Sequence, residues 1–298
     1  MISSAVVIVN ATSGTGCPAG FDRELQSRFA ARGVDAKVKL VDGGKAVVQA
    51  AQQAVKDGAQ CVVAGGGDGT VSAVASQLAD TQAALGVLPL GTLNHFAKNN
   101  GIPLDVDEAI AAIAAGHVVP IDVADVNGRT FINNSSLGLY PDIVLDRERQ
   151  RRRLGRGKWM ALVAASLRAA QRYPVLSLAM DVDGKPVQRR SAFVFIGNNE
   201  YKMAGFEIGE RDRIDRGVLS LYVTQRTGRF GLLRLALRAL FNRLEQARDF
   251  DSFLAARVTV ETHHRALRVA TDGEVTVMRT PLEYRIRPRA LRLVVPIR

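Results

Sequence analysis

Cys61-Val-Val-Ala-Gly-Gly-Gly-Asp-Gly-Thr70 decides how the first half of the chain is read. An apolar run suited to a buried strand passes straight into a glycine turn. Behind it Val71, Val74, Ala75 and Leu78 recur at i, i+3, i+4 and i+7, the stripe of a helix with one buried face. The same alternation surrounds this stretch. Ala5 to Asn10, Ala36 to Val41 and Leu85 to Leu90 are short apolar or β-branched runs, each followed by a helical pattern, such as Val47, Val48, Ala51, Ala54 and Val55. Residues 5–9 and 85–88 are apolar without alternation, which suits parallel strands covered on both faces. After Pro120 the pattern changes: Leu176 to Val182, Ser191 to Ile196, Val218 to Thr224, Arg257 to Glu261 and Leu291 to Val295 follow one another as extended segments. They suit an antiparallel sandwich or barrel, interrupted by helical stretches at 141–172 and 230–246. The expected architecture is α/β plus β: an N-terminal three-layer α/β nucleotide-binding domain at 1–125 and a C-terminal antiparallel β-sandwich-like domain at 126–298. The last strand is free to return to the first domain.

Ligands of an α/β sheet sit outside the carboxyl ends of its strands, so the turns after the strands are where chemistry is expected. Three are unusual: Asn10-Ala-Thr-Ser-Gly-Thr-Gly16, Gly65-Gly-Gly-Asp-Gly-Thr70 and Pro89-Leu-Gly-Thr-Leu-Asn94. Gly65, Gly66 and Gly67 lack a Cβ, which suits a backbone that approaches a ligand, and Thr70 is expected to cap the next helix, whose amides attract anions. This reads as a phosphate cradle. Asp68 inside it would repel a phosphate unless a metal ion or proton relay intervenes, and Mg²⁺ carried with ATP satisfies that condition. A lone glycine run would read equally well as a tight turn with Asp68 as a local hydrogen-bonder; three such loops on one sheet edge favour the cradle. Walker A is absent. Gly14-Thr-Gly16-Cys-Pro-Ala19 satisfies a dinucleotide-binding pattern with Asp42 as ribose acceptor, but its first glycine comes four residues after Asn10 and Pro18 interrupts it.

Composition narrows the classes. The 298 residues carry Lys+Arg 40 against Asp+Glu 29, a net charge of +11, with 47% apolar and 23% charged residues. The length suits two domains, and no apolar run approaches the roughly 18 residues of a spanning helix. Two cysteines and the lack of a signal-peptide pattern suit a reduced, cytoplasmic protein. The positive balance favours anionic partners. Nucleic acid fits poorly, since aromatic residues are 6% and no RNA- or zinc-binding signature occurs.

Together these segments resemble the diacylglycerol kinase catalytic-domain family, which includes bacterial soluble lipid kinases and sphingosine kinases. Gly65 to Thr70 looks like its nucleotide loop. Leu88-Pro-Leu-Gly-Thr-Leu-Asn-His-Phe-Ala97 with Gly101-Ile-Pro103 resembles its second signature, and Asn10 to Gly14 is similar to its opening motif. Thr271-Asp-Gly-Glu274, Thr280-Pro-Leu282 and Pro288-Arg-Ala-Leu291 resemble its C-terminal elements. NAD kinases share the Gly-Gly-Asp-Gly loop, but residues 91–97 point to the lipid-kinase branch. The resemblance implies an enzyme that holds ATP·Mg²⁺ and phosphorylates the hydroxyl of a lipid alcohol such as diacylglycerol, with Glu274 and Asp68 as catalytic residues. Asn10, Thr12, Ser13, Gly14, Gly65, Gly66, Gly67, Asp68, Gly69, Thr70, Thr92 and Asn94 would bind the cofactor. A carboxylate suits the task of taking the proton from a poor hydroxyl nucleophile. Read by itself, Asp272-Gly273-Glu274 favours an ordinary hairpin turn between Leu267–Ala270 and Val275–Met278; with the resemblance, both readings hold together.

The chain also departs from the family. Ala11 stands for the usual proline, and His95 replaces an acid that many members carry, which leaves Asp68 and Asp122 as candidate metal ligands. At Ile214-Asp-Arg-Gly-Val218, Arg216 occupies the place of a second acid of an accessory magnesium site, so that site is not expected; Arg216 would pair with Asp215 or face anionic lipid. Those departures keep open a non-catalytic lipid- or nucleotide-binding protein on the same fold. Arg147 to Lys158 carries seven basic residues before the apolar stretch Trp159 to Leu167, and Leu233, Leu237, Leu240 and Leu244 form a second stripe. Both suit peripheral docking on anionic membrane or, equally, core helices with solvated arginines. A homodimer is compatible with the sequence. His117, His263 and His264 show no metal-ligand spacing.

Overall fold

The buried apolar runs of the first half become parallel strands, and the computed structural model describes residues 1–12, 17–138, 175–204, 207–211, 213–224 and 250–297. The expected helical stretches at 141–172 and 230–246, with the basic run and leucine stripe on them, lie outside the described residues. The chain divides into two units, Met1–Val123 with Arg287–Arg298, and Ala124–Ile286.

In the first unit β1 (Ser4–Asn10), α1 (Phe21–Ala30), β2 (Asp35–Val41), α2 (Gly43–Lys56), β3 (Cys61–Gly66), α3 (Asp68–Leu78), β4 (Ala84–Pro89), α4 (His95–Asn99) and α5 (Val106–Ala115) follow in order. The strands run β2-β1-β3-β4, all parallel, with Val9 opposite Gly65 and Gly66 opposite Pro89. Adjacent register brings the turns after β1, β3 and β4 to one edge. Alternation along the strands sends Val7, Val9, Val63, Ala84 and Leu88 into a cluster with Leu25 and Phe29 of α1 and Ile110 and Ile113 of α5. Ile8, Val62, Leu85 and Val87 therefore face the other way, where α2 and α3 bury Val47, Ala51, Ala54, Val71, Val74, Ala75 and Leu78. Each large aliphatic side chain so buried contributes about 1.5–3 kcal/mol. Val48 and Val55 of the expected α2 stripe are only half-buried. Helix α5 shows the local code clearly: the Asp105 carboxylate accepts the Asp107 and Glu108 amides (2.9 and 3.0 Å), and Gly116 ends the helix at φ 70°.

The second unit is antiparallel. After β5 (Val118–Val126) come β6 (Arg129–Phe131), β7 (Asn134–Gly138), β8 (Leu176–Val182), β9 (Lys185–Ser191), β10 (Phe193–Asn198), β11 (Tyr201–Ala204), β12 (Glu207–Arg211), β13 (Leu219–Thr224), β14 (Phe250–Ala255), β15 (Arg257–Glu261), β16 (Ala266–Thr271), β17 (Glu274–Arg279) and β18 (Leu282–Val294). Six strands lie in the order β14-β13-β10-β7-β16-β17, and the first part of β18 pairs with β15, which pairs with β8 and then β9. Leu176, Leu178, Met180 and Val182 point inward at alternate positions and meet Val194, Ile196, Leu219, Leu221, Val258, Val260 and Tyr284 in one core. β5 and β18 each supply residues to both units, and the end of β18 pairs in parallel with β4 (Arg292 opposite Ala84). Among the described residues no helix is long and apolar enough to cross a membrane.

Candidate functional site

Asn10 ends β1 and ties its neighbours together. Its Oδ1 accepts from the Thr12 hydroxyl (2.7 Å), the Thr12 amide (3.3 Å) and the Gly43 amide at the start of α2 (3.2 Å), while Nδ2 donates to the Thr70 hydroxyl (3.4 Å). Ser13 and Gly14, the other expected residues of this loop, lie outside the described residues.

Two expectations for the glycine turn are corrected. Thr70 is the third residue of α3 and not its cap; the cap is Gly67, whose carbonyl accepts the Thr70 and Val71 amides. Gly65 and Gly66 are the last residues of β3, and their Cβ positions are taken by protein: a methyl would stand 2.8 Å from Val9 Cγ2 and 2.5 Å from Thr70 Oγ1 respectively. The close approach that glycine permits here is internal. Gly91, which sequence reasoning passed over, is the tightest of the three, since its Cβ would lie 2.4 Å from Gly67 Cα. The turns after β3 and β4 therefore touch backbone to backbone.

Asp68 fastens the same two turns. Its carboxylate accepts the His95 amide (3.1 Å) and the Phe96 amide (2.8 Å), capping α4 from another loop. Asn94, at φ 50°, holds its own turn, accepting the Gly91 amide (3.1 Å) and donating to the Pro89 and Gly91 carbonyls (3.1 and 2.9 Å). Thr92 and the His95 side chain are exposed. Around the first turn of α3 the residues fit a phosphate: Gly67 supplies no side-chain cap, and beyond its chain neighbours and its own helix backbone nothing lies within 4 Å of where a Gly69 Cβ would be. For a metal, no three His, Cys, Asp or Glu side chains converge among the described residues. Asp122 is fully buried (0% exposed) and accepts the Arg289 amide at 2.8 Å.

In the second unit the hairpin reading holds. Thr271 and Glu274 are paired across a two-residue turn, with Asp272 at φ 47° and Gly273 at φ 83°, the left-handed pair that such a turn requires. Asp272 turns its carboxylate inward and accepts three successive amides, Ile132 (2.8 Å), Asn133 (2.8 Å) and Asn134 (3.1 Å). Glu274 points outward, 61% exposed, and its Oε2 accepts from Arg129 at 2.7 Å; the same guanidinium donates through Nε to the Thr271 hydroxyl (2.9 Å). Arg129 was invisible to sequence reasoning, because nothing in Arg129-Thr-Phe131 forms a motif.

The opposite side of the same segment is held by a buried arginine that the sequence did not single out. Arg211 donates to the carbonyls of Ile132 (2.8 Å) and Asn198 (3.3 Å) and to Asn133 Oδ1 (2.9 Å), and its guanidinium lies 5.3 Å from the centre of the Tyr201 ring. The Asn198 side chain donates to the Ile132 carbonyl (2.9 Å) and the Tyr201 hydroxyl to that of Asn133 (3.0 Å). Burial pushes the Tyr201 phenol up, the Arg211 charge draws it down and the Asp272 charge pushes it up again. The Asn198-Asn199 pair ending an apolar strand was the one signal that could have flagged this cluster.

Arg216 pairs with Glu200, and its amide donates to Asn199 Oδ1 (2.9 Å), while Asp215 takes two donors of Arg213 (3.0 and 3.1 Å).

Known proteins share these segments. The description "Diacylglycerol kinase catalytic domain" matches residues 4–126, and "YegS C-terminal NAD kinase beta sandwich-like domain" matches residues 142–295. A Klebsiella pneumoniae (strain 342) protein named "Probable lipid kinase YegS-like" is 40% identical over 119 residues, 39% of this chain and 40% of that protein. A second YegS-like protein, from Cronobacter sakazakii, is matched over 32% of its length, so the alignments span less than half of these relatives. The diacylglycerol kinase of Bacillus subtilis (strain 168) is 26% identical over 98% of this chain and 96% of its own. A crystal structure of a diacylglycerol kinase from Bacillus anthracis shares the fold, with a TM-score of 0.71 at 21% identity over 98% of this chain and 97% of the other.

Proposed function

Because the chain belongs to the diacylglycerol kinase catalytic-domain family, we propose that it is an ATP- and Mg²⁺-dependent lipid kinase. It would transfer the γ-phosphoryl group of ATP to the hydroxyl of a lipid alcohol such as diacylglycerol. The observation that carries this reading in the first unit is Asp68, which holds the start of α4 from inside a glycine turn, with open space where a Gly69 side chain would stand. ATP with its Mg²⁺ supplies the phosphoryl group and the charge neutralisation. The chain's own residues do the rest: Asn10, Thr12, Gly67, Gly69, Thr70 and Thr92 hold phosphates and sugar, Asn94 keeps its turn in shape, and Asp68 meets the metal; Asp122, the other expected ligand, is buried on the Arg289 amide and would act only from behind. Gly65 and Gly66 contribute as the rigid strand end beneath the cradle.

On the second unit Glu274 takes the proton of the lipid hydroxyl. Arg129 binds one carboxylate oxygen, Oε2, which fixes the group's orientation and leaves Oε1 to accept the proton. The same ion pair favours a second reading, a non-catalytic lipid- and nucleotide-binding protein in which Glu274 is engaged structurally. Cytoplasmic placement and peripheral contact with anionic membrane belong to the proposal, supported by the net charge of +11. Incubation with γ-labelled ATP, Mg²⁺ and a panel of lipid alcohols, followed by separation of products, tests it. Label in a lipid phosphate supports the kinase; nucleotide and lipid binding with no labelled product supports the second reading.

A further inference from the structure

The peptide segment Ile132–Asn134 is gripped from both sides. Three of its amides end on Asp272, and its carbonyls at Ile132 and Asn133 receive Arg211, Asn198 and Tyr201. Only 6% of Arg211 is exposed, its donors end on neutral oxygens, and its Nε has no hydrogen-bond partner among the described residues. A buried charge satisfied in this way is costly to keep, and a merely space-filling residue would do better there. What the arrangement does achieve is positional. The segment follows directly from Arg129, which holds Glu274, and leads into β7, whose Ser135 pairs with Thr271 at the root of the Glu274 turn.

We infer that Arg211 is a positioning residue for Glu274, acting through Ile132–Asn134 on both Arg129 and the Asp272 turn. The inference rests on the reading of Glu274 as the base. Arg211's fork presents donors to two carbonyls and an amide oxygen at once, a geometry that a lysine cannot reproduce. With Lys at 211 the segment loses donors on one face while Asp272 keeps its grip on the other. The carboxylate of Glu274 then samples orientations in which Oε1 misses the hydroxyl, and misplacements of about 1 Å cost about 10²-fold in rate.

The test uses the full chain with Arg211→Lys, Glu274→Gln and the double variant, read by turnover and by amide hydrogen exchange without substrate. Arg211→Lys is expected to lower kcat about 10- to 100-fold with the KM for ATP within about twofold, and to add nothing in the Glu274→Gln background. Exchange at the Asn133 and Asn134 amides is expected to rise about tenfold or more, with α3 amides unchanged as the control for intact folding. Asn133→Ala, which removes only the acceptor of one Arg211 donor, is expected to give the same pattern at smaller amplitude and serves if Arg211→Lys does not fold. Unchanged exchange at 132–134, or a loss that multiplies with that of Glu274→Gln, overturns the positioning role and leaves Glu274 as base. Near-normal turnover in Glu274→Gln overturns the base reading and the positioning role with it.

Discussion

Asp68 and Asp272 both sit in glycine turns and both accept backbone amides from a distant stretch of chain, yet their surroundings differ. Asp68 takes two amides at the start of α4 and is half-buried beside open space. Asp272 takes three amides of a segment that three further side chains, Arg211, Asn198 and Tyr201, hold from behind. The first turn is anchored lightly; the second is anchored heavily and presents one exposed carboxylate, Glu274. An acid within a glycine motif can therefore fasten a distant stretch of chain through its backbone amides.

The difference is largest in stability. Asp272→Asn keeps the shape but turns three charge-assisted bonds into at most two neutral ones and sets an NH₂ against the Ile132 amide, and is expected to cost about 3 kcal/mol, against about 1 kcal/mol for Asp68→Asn. Denaturant unfolding followed by probes in each unit reads both; equal costs would break the comparison. A contrast within the first turn comes next. Gly91→Ala forces a methyl against Gly67 and is expected to cost about 2 kcal/mol, whereas Gly69→Ala meets nothing and is expected to be neutral in stability while weakening ATP binding. If Gly69→Ala binds ATP normally, the phosphates do not lie over the first turn of α3.

Smaller still is the response to alkali. Burial raises the phenols of Tyr201 and Tyr284 in the second unit, so they favour the folded state fully below the ordinary tyrosine range near 10, and that contribution is lost as pH rises through their folded values. In the first unit burial pushes the Cys61 thiol up to about 12; its contribution is full below 9.0 and is lost as pH rises towards 12. Stability should therefore be insensitive to these groups from pH 7 to 9, with the second unit weakening only above about pH 10. Tyr284→Phe should flatten that alkaline limb, and an unchanged limb would remove Tyr284 from the account. The smallest expected effect is none at all: at saturating MgATP, activity should be flat in free Mg²⁺, because Arg213 and Glu200 already occupy the charges around Asp215 and Arg216. A steep requirement for free metal would contradict this.

Legibility in the sequence followed the range of the contacts. Leu176–Val182 and Arg257–Glu261 were readable to the residue because alternation is local. The helix stripe behind Asp68 was equally plain, but Thr70 was misjudged as its cap, since Gly67 starts the helix three residues earlier with extended backbone and no side chain to announce it. Of the candidate sites, the glycine turns and the Asp272-Gly273 hairpin were visible. Their partners were not: Asp272 meets residues 138 to 140 positions away, and Glu274 meets Arg129 across 145. No motif encodes pairings that only the assembled sheet creates, and Gly65 answered to Val9 of the neighbouring strand for the same reason.

The division of labour between the two turns is tested most directly by titrating MgATP calorimetrically into Asp68→Asn and Glu274→Gln and measuring lipid phosphorylation by both. Glu274→Gln should bind MgATP within about twofold of the unmutated protein while kcat falls about 10² to 10⁴-fold, and Asp68→Asn should lose turnover together with metal-dependent nucleotide binding. Weakened nucleotide binding in Glu274→Gln, or near-normal phosphorylation in either variant, would contradict the account.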